Sequence, residues 1–256
     1  METSKNILIS NRIKISVVSY INSLPFIYGL ENSDIINNID LQKDIPSDCA
    51  KKLIDKKVDI GLIPVAALPK IEQYEIISDF CIGAENKVDS VFLFSNVDLK
   101  FIDTILLDYQ SNTSNNLTKI LAKFFWDISP KWKNTKSEYI SRIKNNTAGV
   151  VIGDRAFDLK NKYKFVYDLS QEWYKFTKLP FVFALWVSNK SLATEFVDEF
   201  NSALNFGLIN IDKLNNISPA LSDKEFNAYL TKSIKYKLDD EKRKAIKLYL
   251  KFLAKI

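Results

Sequence analysis

The sequence predicts an α/β fold with two lobes around a central cleft. Short β-forming runs alternate with helical patterns along most of the 256 residues, which is typical of α/β proteins with largely parallel sheets. Two strongly β-forming runs, residues 88–95 and 181–187, enclose a self-contained strand and helix unit. Helical patterns dominate after Ser191. The two β-forming runs are therefore interpreted as hinge crossings between the lobes.

This organisation predicts a discontinuous first lobe and an inserted second lobe. The first lobe is expected to comprise residues 1–95 and 184–256, and the second residues 96–183. Ligands of such folds bind in the crevice beyond the carboxyl ends of the strands. We therefore expect the binding site between the lobes, with the hinge strands allowing the lobes to close.

The first lobe begins with a βαβαβ pattern. Ile13 to Val18 is predicted as a strand, and Pro25 suits the first turn of the helix that follows. A second strand, Leu41 to Ile45, ends at Pro46, and Ser47 is predicted to cap the next helix. An apolar helical stripe and a buried strand complete the pattern: Ala50, Leu53 and Ile54, then Ile60 to Ile63.

In the inserted lobe, strands are predicted at Ile105 to Leu107 and Val150 to Ile152. The helix between them has a wide apolar stripe formed by Leu117, Ile120, Leu121, Phe124 and Phe125. The tail is predicted to form two helices that pack on the first lobe, one containing Leu192, Phe196, Phe200 and Leu204 and one from Leu238 to Leu253. The second is rich in lysine, which favours a solvated face over a membrane-surface role.

Polar turns that open helices are the strongest functional signal. Asn22 and Ser23 follow the first strand, and Ser111 to Ser114 follow a strand of the inserted lobe. The start of a helix exposes unpaired N–H groups and the positive end of the peptide dipole, so such turns can bind carboxylates or phosphates. Ser47, Asp108 and the Gly153-Asp154 pair are also expected at strand ends facing the cleft. The alternative is that these side chains are only helix caps or satisfied turn residues.

Composition narrows the possible functions. The net charge of +5 comes from lysines interleaved with 31 acidic residues, so no nucleic-acid partner is predicted. The absence of histidine removes the commonest general base and zinc ligand, and Cys49 and Cys81 lie in no metal-ligand spacing. We expect no metal, no organic cofactor and no membrane span. The polar start, Met1 to Asn11, lacks the pattern of a secretory signal, so we expect a cytoplasmic location.

Several stretches resemble the chorismate dehydratase family, which catalyses the first step of the futalosine route to menaquinone. The most specific are an Asn-Ser-x-Pro turn, an x-Ser-Val-x-Leu hinge strand and a T-x-L-P-F-V-F-A run. The matching stretches follow the family order: VSYINSLPF (18–26), IPSDCAKKLIDKKVDIGLIPVAAL (45–68), CIGAENKVDSVFLFS (81–95), LDYQSNTSNNL (107–117), VIGDRAF (151–157) and DLSQEWYKFTKLPFVFALW (168–186).

The resemblance implies a type II periplasmic-binding-protein-like fold and a lyase that eliminates water from chorismate, a small dicarboxylate. Asn22 is implied as the catalytic residue in a substrate-assisted elimination, in which the enolpyruvyl carboxylate of chorismate takes the ring proton. The implied carboxylate donors are Ser90, Thr113 and Ser114, with Ser23 and Ser47 less firmly placed. Asp154 is expected to orient a neighbour or a water molecule.

The chain departs from the family pattern where Lys57, Asn86 and Lys178 replace family glycines. We attribute these changes to a drift toward Lys, Asn and Ile that leaves function intact. Three rival functions stay open at this stage. A non-catalytic two-lobed receptor for a small carboxylate shares the fold, a dihydroxynaphthoate synthase of similar fold uses a histidine that is missing here, and a sensor domain is expected to carry a helix-turn-helix region. Oligomeric state is not predicted.

Overall fold

A computed structural model describes residues 12–256. The predicted properties of Met1 to Asn11 lie outside these residues. The strands are β1 (Ile13–Val18), β2 (Ile39–Asp44), β3 (Ile60–Pro64), β4 (Glu75–Ala84), β5 (Val91–Ser95), β6 (Thr104–Leu107), β7 (Lys131–Asn134), β8 (Thr147–Ile152), β9 (Phe165–Asp168), β10 (Phe181–Ser188) and β11 (Lys235–Lys237). The α-helices are α1 (Leu24–Glu31), α2 (Pro46–Ile54), α3 (Asn112–Phe124), α4 (Leu169–Thr177), α5 (Thr194–Ile209), α6 (Asp223–Ala228) and α7 (Asp240–Leu253).

The strands form two separate mixed sheets. The first has the order β11-β4-β10-β3-β1-β2, and the second has the order β7-β6-β8-β5-β9. Strand β1 runs parallel to β2 and β3, as the βαβαβ pattern predicted. The chain leaves the first sheet along β4 and returns beside it along β10, so these two strands are antiparallel. The prediction of largely parallel sheets therefore holds for β1, β2 and β3 in the first sheet and for β6, β7 and β8 in the second. The other strand pairs are antiparallel.

Sheet membership moves the predicted lobe boundaries. Strand β5 pairs with β8 and β9, so it belongs to the second sheet, although the sequence placed its residues in the first lobe. Strand β10 pairs with β3 and β4 from its first residue, Phe181. A β-forming run shows that a strand exists but not which sheet it joins. We propose a second lobe that begins with β5 and ends after α4.

Most predicted elements are confirmed, with local corrections. Ser47 is not a helix cap, because α2 begins one residue earlier at Pro46 and Ile45 occupies the N-cap position. Phe125 lies just beyond the end of α3 and is 37% exposed. Lys178 ends α4 in the left-handed conformation with φ of 62°, which is the conformation that a glycine would serve there. Helix α7 contacts both β10 and α3, so the tail packs on both lobes rather than on the first alone.

One buried carboxylate joins the outgoing crossing to the start of α4. Asp168, at the end of β9, is 5% exposed and caps α4 by accepting the N–H groups of Ser170 and Gln171 at 3.0 and 3.1 Å. Its other oxygen accepts the N–H groups of Val88 and Asp89 in the outgoing crossing, at 3.0 and 2.9 Å. The side chain therefore fixes the outgoing segment just before Ser90.

Two glycines let α1 and α5 approach closely beneath the first sheet. A Cβ atom built on Gly207 would lie 1.7 Å from the carbonyl oxygen of Pro25, and one on Gly29 would lie 2.0 Å from that of Ala203. Both obstacles are backbone atoms, which side-chain rotation cannot move. Helix α1 begins two residues after Asn22, so this helix contact also supports the position of the Asn22 turn.

We predict that Gly207→Ala lowers the free energy of unfolding by about 2–3 kcal/mol, because the two helices must separate to admit the methyl group. Urea denaturation measures the change. The matched control is Gly149→Ala, where the added atom meets only the flexible side chain of Ile143. Equal destabilisation by both variants would contradict the close approach of the helix backbones.

Candidate functional site

A cleft lies between the two sheets. It opens beyond the carboxyl ends of β1, β3, β6 and β8, where the sequence predicted the site. Its polar lining consists of hydroxyl and amide groups, and the remainder is apolar. The lining residues are Val18, Tyr20, Asn22, Ser23, Pro46, Pro64, Ile82, Val88, Ser90, Val91, Ser111, Thr113, Ser114, Ile152, Gly153, Phe183 and Ala184.

Asn22 and Ser23 line the cleft but do not cap a helix. They form a short 3₁₀ turn, Ile21–Ser23, between β1 and α1. Ser23 occupies the N-cap position of α1 without a capping hydrogen bond, and its hydroxyl instead donates to Asn22 Oδ1 at 3.1 Å. The Asn22 carbonyl accepts the Tyr236 hydroxyl at 3.1 Å. Both backbone and side chain of Asn22 are therefore held in place by neighbouring hydroxyls.

Ser90 lies where the outgoing crossing enters β5. It is 1% exposed, and its Oγ accepts the hydroxyl of the buried Tyr229 at 2.8 Å. The Ser90 carbonyl accepts the N–H of Gly153 at 2.8 Å. Across residues 12–256, the Ser90 hydroxyl has no hydrogen-bond acceptor of its own, so its proton is free to point to a ligand.

The start of α3 places three hydroxyls in the cleft. Ser111 is the cap, and its Oγ accepts the Ser114 N–H at 3.1 Å while its hydroxyl donates to Ser114 Oγ at 2.9 Å. Thr113 Oγ1 accepts the N–H of Ala66 from the other lobe at 3.2 Å. Within the described chain, the N–H groups of Asn112 and Thr113 have no acceptor, as expected for the first turn of a helix.

Several hydrogen bonds join the two lobes around the cleft. One joins Ala66 to Thr113, as above. The Ile21 N–H donates to Asp154 Oδ1 at 3.3 Å, and the Tyr20 hydroxyl donates to Gln110 Oε1. Gly153 has φ of +66°, and a side chain there would collide with the Tyr20 ring. The Asp154 carboxylate is thus held beside the Asn22 turn by the Ile21 N–H, and burial raises the pKa of this carboxyl to about 6.

Three of the residues expected at the cleft, Ser47, Asp108 and Asp154, lie outside its lining. Ser47 is absent from the lining, and Pro46 takes its place. Asp108 is fully satisfied within the second lobe by Gln110, Tyr139, Ile152 and Arg155, so it is a structural turn residue. Of the seven predicted site residues, the structure brings Asn22, Ser23, Ser90, Thr113 and Ser114 to one cleft, and Asp154 borders it.

The cleft has no charged side chain among its lining residues. Residues 12–256 contain no cluster of three His, Cys, Asp or Glu side chains that could hold a metal ion. None of their helices is both long and apolar enough to cross a bilayer. Burial raises the pKa of Cys49 and of Cys81 to about 12, so both thiols are protonated at neutral pH.

Sequence reasoning missed the tyrosines that support the site. Tyr20 lies two residues before Asn22, inside a stretch that carries the family resemblance. Its position in the sequence could therefore have indicated a role near the site. Tyr229 and Tyr236 gave no such signal, because they reach Ser90 and Asn22 from more than 130 residues away along the chain. Only the packed structure reveals them.

Comparison with known proteins agrees with this geometry. A family model described as menaquinone biosynthesis matches residues 13–255. The chain is 26% identical over 246 residues to a chorismate dehydratase of Campylobacter jejuni subsp. jejuni serotype O:23/36 (strain 81-176), with 91% of this chain and 94% of that protein covered.

Solved structures share the fold at low identity. Protein AF1704 from Archaeoglobus fulgidus has a TM-score of 0.74 and 14% identity, with 95% of this chain and 97% of that chain covered. The Candida albicans CA3427 gene product, described as having the generic periplasmic binding protein fold, has a TM-score of 0.61 and 14% identity, with 95% and 94% covered. The chain therefore has a two-lobed periplasmic-binding-protein-like fold, and the extent of the family match shows that it belongs to the menaquinone biosynthesis family.

Proposed function

We propose that this protein is a chorismate dehydratase, a hydro-lyase that converts chorismate to 3-[(1-carboxyvinyl)oxy]benzoate and water in the futalosine route to menaquinone. The observation that carries the proposal is the state of the cleft hydroxyls. Ser90, Thr113 and Ser114 each already accept a hydrogen bond, from Tyr229, Ala66 and Ser111. Their own protons are therefore available to donate, which suits a ligand rich in acceptors.

Chorismate offers two carboxylates to these donors. A hydrogen bond to a charged group contributes about 1.5–3 kcal/mol, and the dipole at the start of α3 adds about 0.3–1 kcal/mol. Several such contacts can bind two carboxylates without an arginine or lysine in the cleft. Because the lining contains no cation, the proposed site holds its anionic ligand by oriented dipoles. A biosynthetic role also fits the cytoplasmic location expected from the sequence.

The proposed mechanism is a substrate-assisted elimination. With the substrate folded in the cleft, its enolpyruvyl carboxylate takes the proton from the ring carbon that bears the ether oxygen. The electron pair of that C–H bond forms the new ring double bond, and the neighbouring C–O bond breaks. The departing hydroxyl receives the proton from the enolpyruvyl carboxylic acid and leaves as water, which regenerates the carboxylate. Correct orientation of such an intramolecular step can be worth about 7–11 kcal/mol.

Asn22 is proposed to hold the reacting groups together. Its amide can donate to one group and accept from another, which suits a residue between a carboxylate and a departing hydroxyl. The Ser23 hydroxyl and the Tyr236 hydroxyl fix its position. Asp154 supports the same turn through Ile21, so it is proposed as an orienting group rather than a contact to the reacting atoms.

The reaction itself is the first test. Purified protein is mixed with chorismate, the loss of diene absorbance is followed, and the product is identified by chromatography. Formation of the enolpyruvyl benzoate supports the proposal. Binding by isothermal titration without conversion would instead show a non-catalytic receptor, which is the alternative that shares this fold.

We predict that Asn22→Ala lowers kcat by about 100-fold, the usual cost of losing one donor that acts in the transition state. Steady-state kinetics with chorismate measures the change, and circular dichroism checks the fold. The control is Asn32→Ala, at the far end of α1, where the side-chain amide donates only to the Tyr28 carbonyl. Near-normal turnover in a folded Asn22→Ala protein would remove Asn22 from the mechanism.

We predict that Asp154→Asn stabilises the protein at pH 7.5 but not at pH 4. Because burial raises the pKa to about 6, the folded protein holds a costly carboxylate above that pH, whereas near pH 4 the folded protein binds this proton. The wild type therefore loses stability relative to the variant as pH rises from 4 to 6. The expected gain at pH 7.5 is about 1–2 kcal/mol.

Urea denaturation at both pH values measures the Asp154 effect. Asparagine keeps an oxygen that can accept the Ile21 N–H, so the cleft contact survives the substitution. The control is Asp158→Asn, an exposed position in the same 3₁₀ segment, Gly153–Leu159. A stability difference that is the same at pH 4 and pH 7.5 would be inconsistent with a buried, ionising carboxyl.

A further inference from the structure

Tyr229 is a buried tyrosine that contacts two of the proposed site residues without lining the cleft. It begins a π-helical turn, Tyr229–Ser233, and is 4% exposed. π-Helical turns are rare and occur frequently at functional sites. The Tyr229 ring packs edge-on against Phe157 at 5.0 Å between ring centroids, so its hydroxyl is held in one direction. That direction is toward Ser90 Oγ, 2.8 Å away.

The hydrogen bonds around Tyr229 have a defined polarity. Burial raises the pKa of Tyr229, and the neighbouring Ser90 and Asn22 side chains oppose that rise. The phenol is therefore neutral at working pH and keeps a proton to donate. Ser23 donates to Asn22 Oδ1, so the Asn22 amide nitrogen is the end that can face Tyr229.

The segment that carries Tyr229 also holds the backbone around both site residues. The Ser233 hydroxyl donates to Asp89 Oδ2 at 2.8 Å, and Asp89 has an unfavourable φ of 62° next to Ser90. The Tyr236 hydroxyl donates to the Asn22 carbonyl. A single stretch of the tail thus contacts the Asn22 turn of the first lobe and the Ser90 crossing between the lobes.

We propose that Tyr229 is a positioning residue that keeps Ser90 as a hydrogen-bond donor to the substrate, a role that rests on the proposed function. With Tyr229 donating to Ser90 Oγ, the Ser90 hydroxyl proton has no acceptor among the described residues and is available to a ligand in the cleft. Without the Tyr229 hydroxyl, Ser90 can rotate and bond elsewhere. The effect of Tyr229 on catalysis is therefore exerted through Ser90.

A double-mutant cycle tests this dependence. We expect Ser90→Ala to lower kcat/KM for chorismate about 30-fold and Tyr229→Phe to lower it about 10-fold. Because Tyr229 acts through Ser90, the double variant is expected to match Ser90→Ala within about twofold. Independent roles would multiply to a loss of about 300-fold and would overturn the proposal. Tyr163→Phe, which removes a half-buried hydroxyl that contacts only the Ile140 carbonyl, is the control.

A structural readout separates this inference from the proposed reaction. In a crystal structure of Tyr229→Phe, the Ser90 side chain is expected to adopt a new or mixed rotamer while the backbone of residues 88–91 is unchanged. An unchanged Ser90 rotamer would overturn the positioning role. This measurement needs no substrate, so it decides the inference even if the wild type fails to convert chorismate, an outcome that would reject the proposed function alone.

If Tyr229→Phe does not fold, 3-fluorotyrosine at position 229 replaces it. That residue keeps the shape and the hydroxyl but makes the phenol a stronger donor. A change in kcat/KM is expected in the wild-type background and none in the Ser90→Ala background. The same change in both backgrounds would contradict action through Ser90.

Discussion

The arrangement of the cleft depends on the carboxylate of Asp168. Four backbone N–H groups surround it, two from the outgoing crossing and two from the first turn of α4. Burial raises its pKa to about 6, and the four donors oppose that rise. The cost of burying this charge is offset only while the outgoing crossing and the first turn of α4 both remain in place. The carboxylate thus couples the path of the outgoing crossing to the position of α4.

That coupling explains how a chain can build one site from distant segments. The outgoing crossing delivers Ser90 to the cleft, the start of α3 delivers Thr113 and Ser114, and the β1–α1 turn delivers Asn22. The hydroxyl oxygens of Ser90, Thr113 and Ser114 each already accept one hydrogen bond from the protein. A site of this kind recognises a ligand by the direction of its dipoles rather than by an opposite charge.

Much of this fold could be predicted from the sequence, because local patterns specify local elements. The apolar stripe of α3, the buried strand β3 and the turn at Asn22 are written in short stretches of sequence, and the structure confirms all three. The assignment of β5 to the second sheet could not be predicted, since pairing partners are distant in sequence. Ser47 was misassigned as a cap because a serine after a proline fits both the cap and the second helical position.

The candidate site was predictable to the same degree and for the same reason. Residues in polar turns after strands were found, whereas the tyrosines behind them were not, because buried aromatic residues usually serve packing. Trp173 and Trp186 illustrate that rule, since both are fully buried. Nothing in the sequence around Tyr229 distinguishes it from such a packing residue. Only the contact between its hydroxyl and Ser90 does so.

Lys178 shows how a glycine-poor chain retains the shape of its loops. A lysine in the left-handed region costs about 1–2 kcal/mol in the folded state relative to an ordinary conformation. The unfolded chain, however, has fewer conformations with lysine than with glycine, which returns about 0.4–1 kcal/mol. The net loss of folding free energy is small enough for the interactions of the rest of the fold to offset. At this position a lysine thus preserves the backbone path of the loop while reducing the entropy of the denatured ensemble.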